Sequence, residues 1–184
     1  MKLITAFLRD WRTTGSLVPS SRFLQEGMMA RIPFGRVQTV IELGPGTGVI
    51  TQAILNRLSP TGKLLAVDIN EDFITRLRNQ FNDPRLIPLH ASATELPALL
   101  AAQGLSHADC VVSGLPFASL PATLRREIIE SSVKCLGRRG LFVAFQYAPF
   151  ALPPLLKEHF RDIRTDFVVL NVPPALVYSC RKPA

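Results

Sequence analysis

The sequence predicts an α/β fold wound around one mostly parallel sheet, and three observations carry that expectation. Apolar runs of strand length alternate with helix-periodic segments from Gln38 onward; the first run ends in a turn with three alternating glycines; the second ends in a carboxylate, Asp68, about 20 residues beyond that turn. Regular β-α repetition of this kind implies parallel strands joined by right-handed crossovers. A chain of 184 residues suits one folded unit, and 47% hydrophobic against 19% charged residues excludes disorder.

The elements follow in order. Near the N-terminus Leu3, Ile4, Phe7, Leu8 and Trp11 fall on one stripe of a helix, while Lys2, Thr5, Arg9, Asp10 and Arg12 occupy the other side. A short basic amphipathic helix ending in Trp has the features of an interfacial helix, and the same face would equally suit docking on the core or on a partner. After a loop over 13–19, Ser20 or Ser21 caps a second helix that carries Phe23, Leu24, Met28 and Met29 inward and ends near Pro33 and Gly35. The spacing then predicts strand 38–43, helix 48–58, strand 63–68, helix 71–81, strand 86–89, helix 94–103, strand 109–113, helix 121–136 and strand 140–147. A last helix, 152–159, precedes two strands at 161–170 and 174–181.

The stretch Val40-Ile41-Glu42-Leu43-Gly44-Pro45-Gly46-Thr47-Gly48 organises the rest. Its glycines permit close approach of a ligand to the backbone and tolerate the dihedral angles of a tight turn. A phosphate loop of the GxxxxGK[ST] type is excluded, because Gly48 is followed by Val49 and Ile50, and the spacing is not the GxGxxG of dinucleotide sites. With Glu42 two residues ahead of the first glycine, the pattern resembles motif I, [DE]xGxGxG, of class I S-adenosylmethionine-dependent methyltransferases. The resemblance implies a Rossmann-like class I methyltransferase fold of seven strands, closed by a C-terminal antiparallel hairpin. It implies S-adenosyl-L-methionine as cofactor, with Glu42 facing the methionine ammonium, Gly44, Pro45, Gly46, Thr47 and Gly48 forming the loop, and Asp68 and Ile69 at the ribose. Ser92 and Ala93 fall where many such enzymes place the adenine-contacting acid, with a hydroxyl or a backbone carbonyl of Ser92 in its stead. His90 beside them reads as a hydrogen-bonded wall residue or as an acid or base.

Beyond the fourth strand, Gly114-Leu115-Pro116-Phe117 resembles the Asn-Leu-Pro-Tyr motif of amino-methyltransferases. In those enzymes a polar group and a prolyl-flanked carbonyl accept hydrogen bonds from the amine while a ring packs on it. Ser113, Gly114, Leu115 and Phe117 are the substrate-side candidates on that ground, with Gly114 in place of Asn, and Tyr147 matches an aromatic after the fifth strand. Nearly the whole chain resembles the bacterial soluble-type phospholipid N-methyltransferases, through Phe7-Leu8-Arg9-x-Trp11, 15–22, the glycine loop, 113–121 and Asn171-Val172-Pro173-Pro174-Ala175-x-Val177-Tyr178. The family implies N-methylation of phosphatidylethanolamine toward phosphatidylcholine and an amphipathic first helix that binds membrane. It also implies two regions, N-terminal helices at 1–36 (membrane contact and cofactor lid) and a methyltransferase domain at 37–184. Tyr147 would orient the amine, solvent or lipid phosphate would take its proton, and Phe117, Tyr147 and Tyr178 could face a methylated ammonium, with core packing the other reading of Tyr178.

A net charge of +7 favours an anionic partner, and within 1–36 six basic side chains outnumber two acids. The expected partners are an anionic membrane surface and a phospholipid substrate, with no nucleic acid; the expected place is the cytoplasmic face of the membrane. An rRNA adenine dimethyltransferase is the rival enzyme, disfavoured because those carry a C-terminal helical domain whereas this sequence stops at the closing strand, and an inactive membrane or protein adaptor is the rival without chemistry. Cys110, Cys135 and Cys180 lie apart in apolar segments, as buried thiols do, and no metal site is expected.

Overall fold

A computed structural model describes residues 21–148 and 151–183. Seven strands form one sheet in the order β3-β2-β1-β4-β5-β7-β6. The strands are β1 (Thr39–Leu43), β2 (Lys63–Asp68), β3 (Leu86–His90), β4 (Ala108–Ser113), β5 (Leu136–Gln146), β6 (Asp162–Val168) and β7 (Ala175–Arg181). The first five pair in parallel, and β7 is antiparallel to both β5 and β6. The helices are α1 (Arg22–Met29), α2 (Val49–Leu55), α3 (Glu71–Gln80), α4 (Leu96–Ala102), α5 (Ala122–Cys135) and α6 (Pro153–His159).

Both sheet faces are covered, so the central strands read as continuous apolar runs. Ile41, Leu43, Val111 and Phe142 pack with α4, α5 and α6, whereas Val40, Cys110, Val112 and Val143 pack with α1 and α2. Alternation therefore sends Glu42 to the α1/α2 face, beside Val40. Pro88, which cannot donate to a ladder, stands in the edge strand β3, where one side needs no donor. The three cysteines are free and buried.

Several local expectations need correction. Phe23 points outward at 38% exposure, and only Leu24, Met28 and Met29 of α1 enter the core. The fifth strand starts at Leu136, directly out of α5, instead of at 140. Its partners on β4 jump from Leu136 to Leu141, so Gly137-Arg138-Arg139-Gly140 is a bulge within the strand, with Arg139 at φ 58°. Gly-x-x-Gly reads as a turn in sequence, and the register that absorbs it is a long-range property. Residues 21–36 share their core with β1, β4, β5 and β7. The expected membrane helix, Lys2, Leu3, Ile4, Phe7, Leu8, Arg9 and Trp11, lies outside the described residues.

Candidate active site

The C-terminal ends of β1, β2, β4 and β5 converge on one edge. β1 stops where Gly44 N–H donates to Val67 O at 3.0 Å, and Gly114 N–H donates to Leu43 O at 2.8 Å, drawing the β4 loop against the glycine turn. A Cβ on Gly114 would stand 2.9 Å from Gly44 O, which is why no Asn fills that position. Gly44, Gly46 and Gly48 have φ values of 70°, 52° and 83°, and a Cβ added to Gly46 would meet nothing within 4 Å. Space is open above the loop there. Pro45 and Gly48 are buried, and Thr47 is exposed.

Glu42 is 1% exposed, and its Oε2 accepts from Thr51 Oγ1 at 2.7 Å while Oε1 has no protein partner. Burial raises its pKa to about 8 against the hydrogen bond from Thr51, with nearby Asp68 adding to the rise. Asp68, also raised by burial, to about 6, accepts from the backbone N–H groups of Asn70 (2.8 Å), Ile69 and Gly46. His90 Nε2 sits 3.0 Å from Ile69 O, a hydrogen-bonded wall residue. Ser92 departs from expectation. Its hydroxyl lies 2.8 Å from Thr94 Oγ1 and accepts from Thr94 N–H, and its carbonyl accepts from Glu95 N–H, so both groups offered for adenine serve the turn into α4. Ala93 packs in the core.

On the substrate side, Ser113 is buried and its Oγ accepts from Leu115 N–H at 3.2 Å. The Leu115 carbonyl, expected to receive the amine, already accepts from Phe117 N–H and from Gln146 Nε2, each at 3.0 Å. Both lone pairs are thus used within the protein. Phe117 has no exposed surface; the short 3-10 turn after Pro116 tips its ring into the core against Phe142 at 6.5 Å, removing it from the ligand side. Tyr178, 3% exposed, is likewise core. Tyr147 remains, 40% exposed, with its ring edge-on to Phe145 at 5.5 Å.

Residues 40–140 match the family model described as methyltransferase domain. The chain belongs to that family. It is a class I S-adenosylmethionine-dependent methyltransferase. One relative, the ornithine lipid N-methyltransferase of Singulisphaera acidiphila, is 31% identical over 176 residues, which span 95% of this chain and 92% of the relative. The ribosomal RNA small subunit methyltransferase A of Burkholderia multivorans is 34% identical over 96 residues, half of this chain (50%) and 34% of that protein. Among solved structures, N-methyltransferase NodS from Bradyrhizobium japonicum WM9 in complex with S-adenosyl-L-homocysteine has a TM-score of 0.73 at 15% identity, covering 98% of each chain. Burkholderia thailandensis 1,6-didemethyltoxoflavin-N1-methyltransferase, with its namesake ligand and S-adenosylhomocysteine, scores 0.72 at 16% identity over 99% of this chain and 88% of its own. These two likenesses show the fold.

The methyltransferase has a site that fits its cofactor. An ammonium donor suits Glu42 Oε1, a buried acceptor lacking a partner, and the open space over Gly46 leaves room for a ligand against the backbone. Two residues of this edge escaped the sequence reading. Thr51 anchors Glu42 and is a lone hydroxyl in the apolar start of α2; Gln146, the lone polar side chain in 141–146, is 4% exposed and ties Leu115 O to Ala118 N–H, the latter at 3.3 Å from its Oε1. A polar residue in an otherwise apolar strand end was the available signal for Gln146.

Proposed function

We propose that this methyltransferase transfers methyl groups from S-adenosylmethionine to the head-group amine of a membrane lipid, as a peripheral protein on an anionic, cytoplasm-facing membrane surface. The observation that carries the proposal is the relation to an ornithine lipid N-methyltransferase along 92% of that protein's length. Phosphatidylethanolamine is the substrate that the motif resemblances favour, and ornithine lipid the one the relative favours. Both present an amine on an anchored lipid.

The cofactor supplies a methyl group bonded to a sulfonium sulfur. Glu42 would hold its ammonium through the unpartnered Oε1, the Gly44–Gly48 turn would admit it to the backbone, and Asp68 would orient its ribose hydroxyls. With the cofactor bound, a lipid amine nitrogen would form a bond to that methyl carbon as the carbon–sulfur bond breaks, giving up its proton to solvent or to lipid phosphate. Alignment and exclusion of water are then the protein's contribution. Gln146 fixes the Leu115–Ala118 turn that frames the acceptor. With the Leu115 carbonyl occupied, Tyr147 is the exposed group at this edge that orients the amine and offers a ring face to the cationic product.

Ribosomal RNA methylation is a second reading, favoured by the net charge of +7 and by the half-length match to a ribosomal RNA methyltransferase. Labelled S-adenosylmethionine incubated with phosphatidylethanolamine, ornithine lipid and ribosomal RNA, followed by product identification, decides. Label in a lipid amine is expected; label in RNA, or in none of the three, refutes the proposal.

A further inference from the structure

Loop tips ordinarily turn polar side chains to water and apolar ones inward. Between β6 and β7 the arrangement is inverted. Asn171 is 3% exposed; its Nδ2 donates to Pro173 O at 2.6 Å and its Oδ1 accepts from Ser21 N–H at 3.3 Å. Its neighbours Val169, Leu170 and Val172 stand 61%, 64% and 79% exposed. The one amide of the tip is spent on pinning the loop to the start of α1, and that anchoring holds the apolar side chains outward.

The position of the tip gives the inversion its meaning. Gln146 pairs with Leu176, so the hairpin turn lies at the same sheet edge as Tyr147 and the glycine loop. Phe167, 62% exposed, and Phe23 extend the surface across a groove between β6 and α1. Among the described residues, the large apolar side chains that are exposed are Phe23, Tyr147, Phe167, Val169, Leu170 and Val172, and all of them gather here. The acids beside the groove are paired. Asp166, which lines the groove, is neutralised by a two-pronged contact with Arg31 at 2.6 and 2.7 Å, and Glu26 of α1 by Arg57 at 2.6 Å. Arg22 lies over the Phe23 ring, 4.9 Å from its centroid, and residues 167–174 contain no Asp or Glu. Apolar side chains beside a cation and screened acids are what a lipid surface accepts.

We propose that the β6–β7 hairpin tip, with Phe167 and Phe23, is a docking surface for an anionic lipid bilayer, and that its insertion holds the Tyr147 edge against the membrane. This rests on the reading that the substrate is a membrane lipid. Ser21, the first described residue, donates its N–H to Asn171 and so fixes the start of α1 against the tip.

The test places a Val172→Trp probe in a Trp11→Phe background, where it is the sole tryptophan, and adds phosphatidylglycerol vesicles. A blue shift and quenching by brominated acyl chains are expected. A companion Leu170→Asp, Val172→Asp variant should lower vesicle partitioning by about ten-fold or more per side chain, with S-adenosylhomocysteine affinity unchanged as the check on folding. An emission that ignores the vesicles while the protein sediments with them overturns the proposal. So does a probe already blue in buffer within a sedimenting dimer, which would make the tip an interface between copies. Methylation of a lipid amine in detergent micelles tests the substrate reading separately. If that succeeds and the tip variants bind vesicles like the wild type, only the docking inference fails; if no lipid amine is methylated in any form, both fall.

Discussion

Replacing Glu42 with Gln should stabilise the ligand-free protein at alkaline pH and weaken the cofactor complex at every pH. The carboxyl is buried with its pKa raised from 4.5 to about 8, so it folds as the neutral acid near neutrality. The folded value lies above the unfolded one for an acid; between them the native state holds a proton that the unfolded state has lost, and stability falls as pH rises through that window. At about 1.4 kcal/mol per unit, the full loss is roughly 5 kcal/mol above about pH 8. A neutral amide of the same shape escapes this loss. It brings one unpaired N–H beside Thr51 Oγ1, a penalty of about 1–2 kcal/mol. Urea unfolding should therefore show the variant less stable than wild type by about 1 kcal/mol or less near pH 5, where the wild type has begun to lose its advantage, and more stable by about 3 kcal/mol near pH 9. S-adenosylhomocysteine affinity should drop by about 1.5–3 kcal/mol, the range for a hydrogen bond to a charged group. In the wild type, binding of its ammonium should release a proton below about pH 8, visible by calorimetry in buffers of different ionisation enthalpy. A stability difference that is the same at both pH values would refute the argument, because Glu42 would then carry no buried proton.

Three further outcomes are expected. Gly46→Ala should cost about 1–2 kcal/mol of stability for its left-handed backbone, and Gly48→Ala clearly more, because its Cβ would also stand 2.8 Å from Phe81 and 3.1 Å from Leu77; thermal melts rank the two. Gln146→Leu frees the Leu115 carbonyl and the Ala118 N–H, so kcat should fall about ten-fold or more while cofactor affinity measured by calorimetry stays put. Phe7→Glu should reduce turnover of vesicle lipid with unchanged cofactor affinity; loss of both together would assign the N-terminal segment to the cofactor instead of the membrane.

What the sequence disclosed and what it hid divide along the range of the interactions. The carboxylates of β1 and β2, the glycine turn and the terminal hairpin are local patterns, so Glu42, Gly44, Gly46, Gly48 and Asp68 were legible and the structure brings them to one edge. The protonation of Glu42 was not, because it depends on burial and on Thr51, nine residues on. Leu115 and Phe117 were read as ligand groups from a four-residue motif. Whether that carbonyl is free depends on Gln146, 31 residues away, and whether that ring faces the ligand depends on a 3-10 turn that fills the core beside Phe142. Ser92 is the opposite case. Its commitment to Thr94 is local, and a Ser-x-Thr-Glu run before a helix could have been read as a turn.

The net charge also means less at this edge than its total of +7 suggests. Arg139, Arg161, Arg181 and Lys182 surround one hollow, but they stand at the start of β5 and β6 and the end of β7, opposite the Tyr147 edge. Lys182 is moreover a structural cation, donating to Val133 O and Leu136 O at the end of α5 at 2.8 and 2.7 Å. From Leu141, where regular pairing resumes after the bulge, to Gln146 is five residue steps, roughly 17 Å at about 3.3 Å each, whereas the Debye length at physiological salt is about 8 Å. With the Tyr147 edge on a bilayer, the hollow is screened through about two Debye lengths. On the proposed orientation the electrostatic part of membrane binding falls to Arg22 and to the basic residues that precede the described fold in sequence, Lys2, Arg9 and Arg12. Double replacement of Arg139 and Arg161 by Gln should leave the salt dependence of phosphatidylglycerol binding unchanged, whereas Arg9→Gln with Arg12→Gln should flatten it, since each cation close to the surface contributes about 1 kcal/mol. A flattened dependence in the Arg139/Arg161 variant would mean that the opposite end of the sheet meets the membrane, and the orientation argued from the hairpin tip would be wrong.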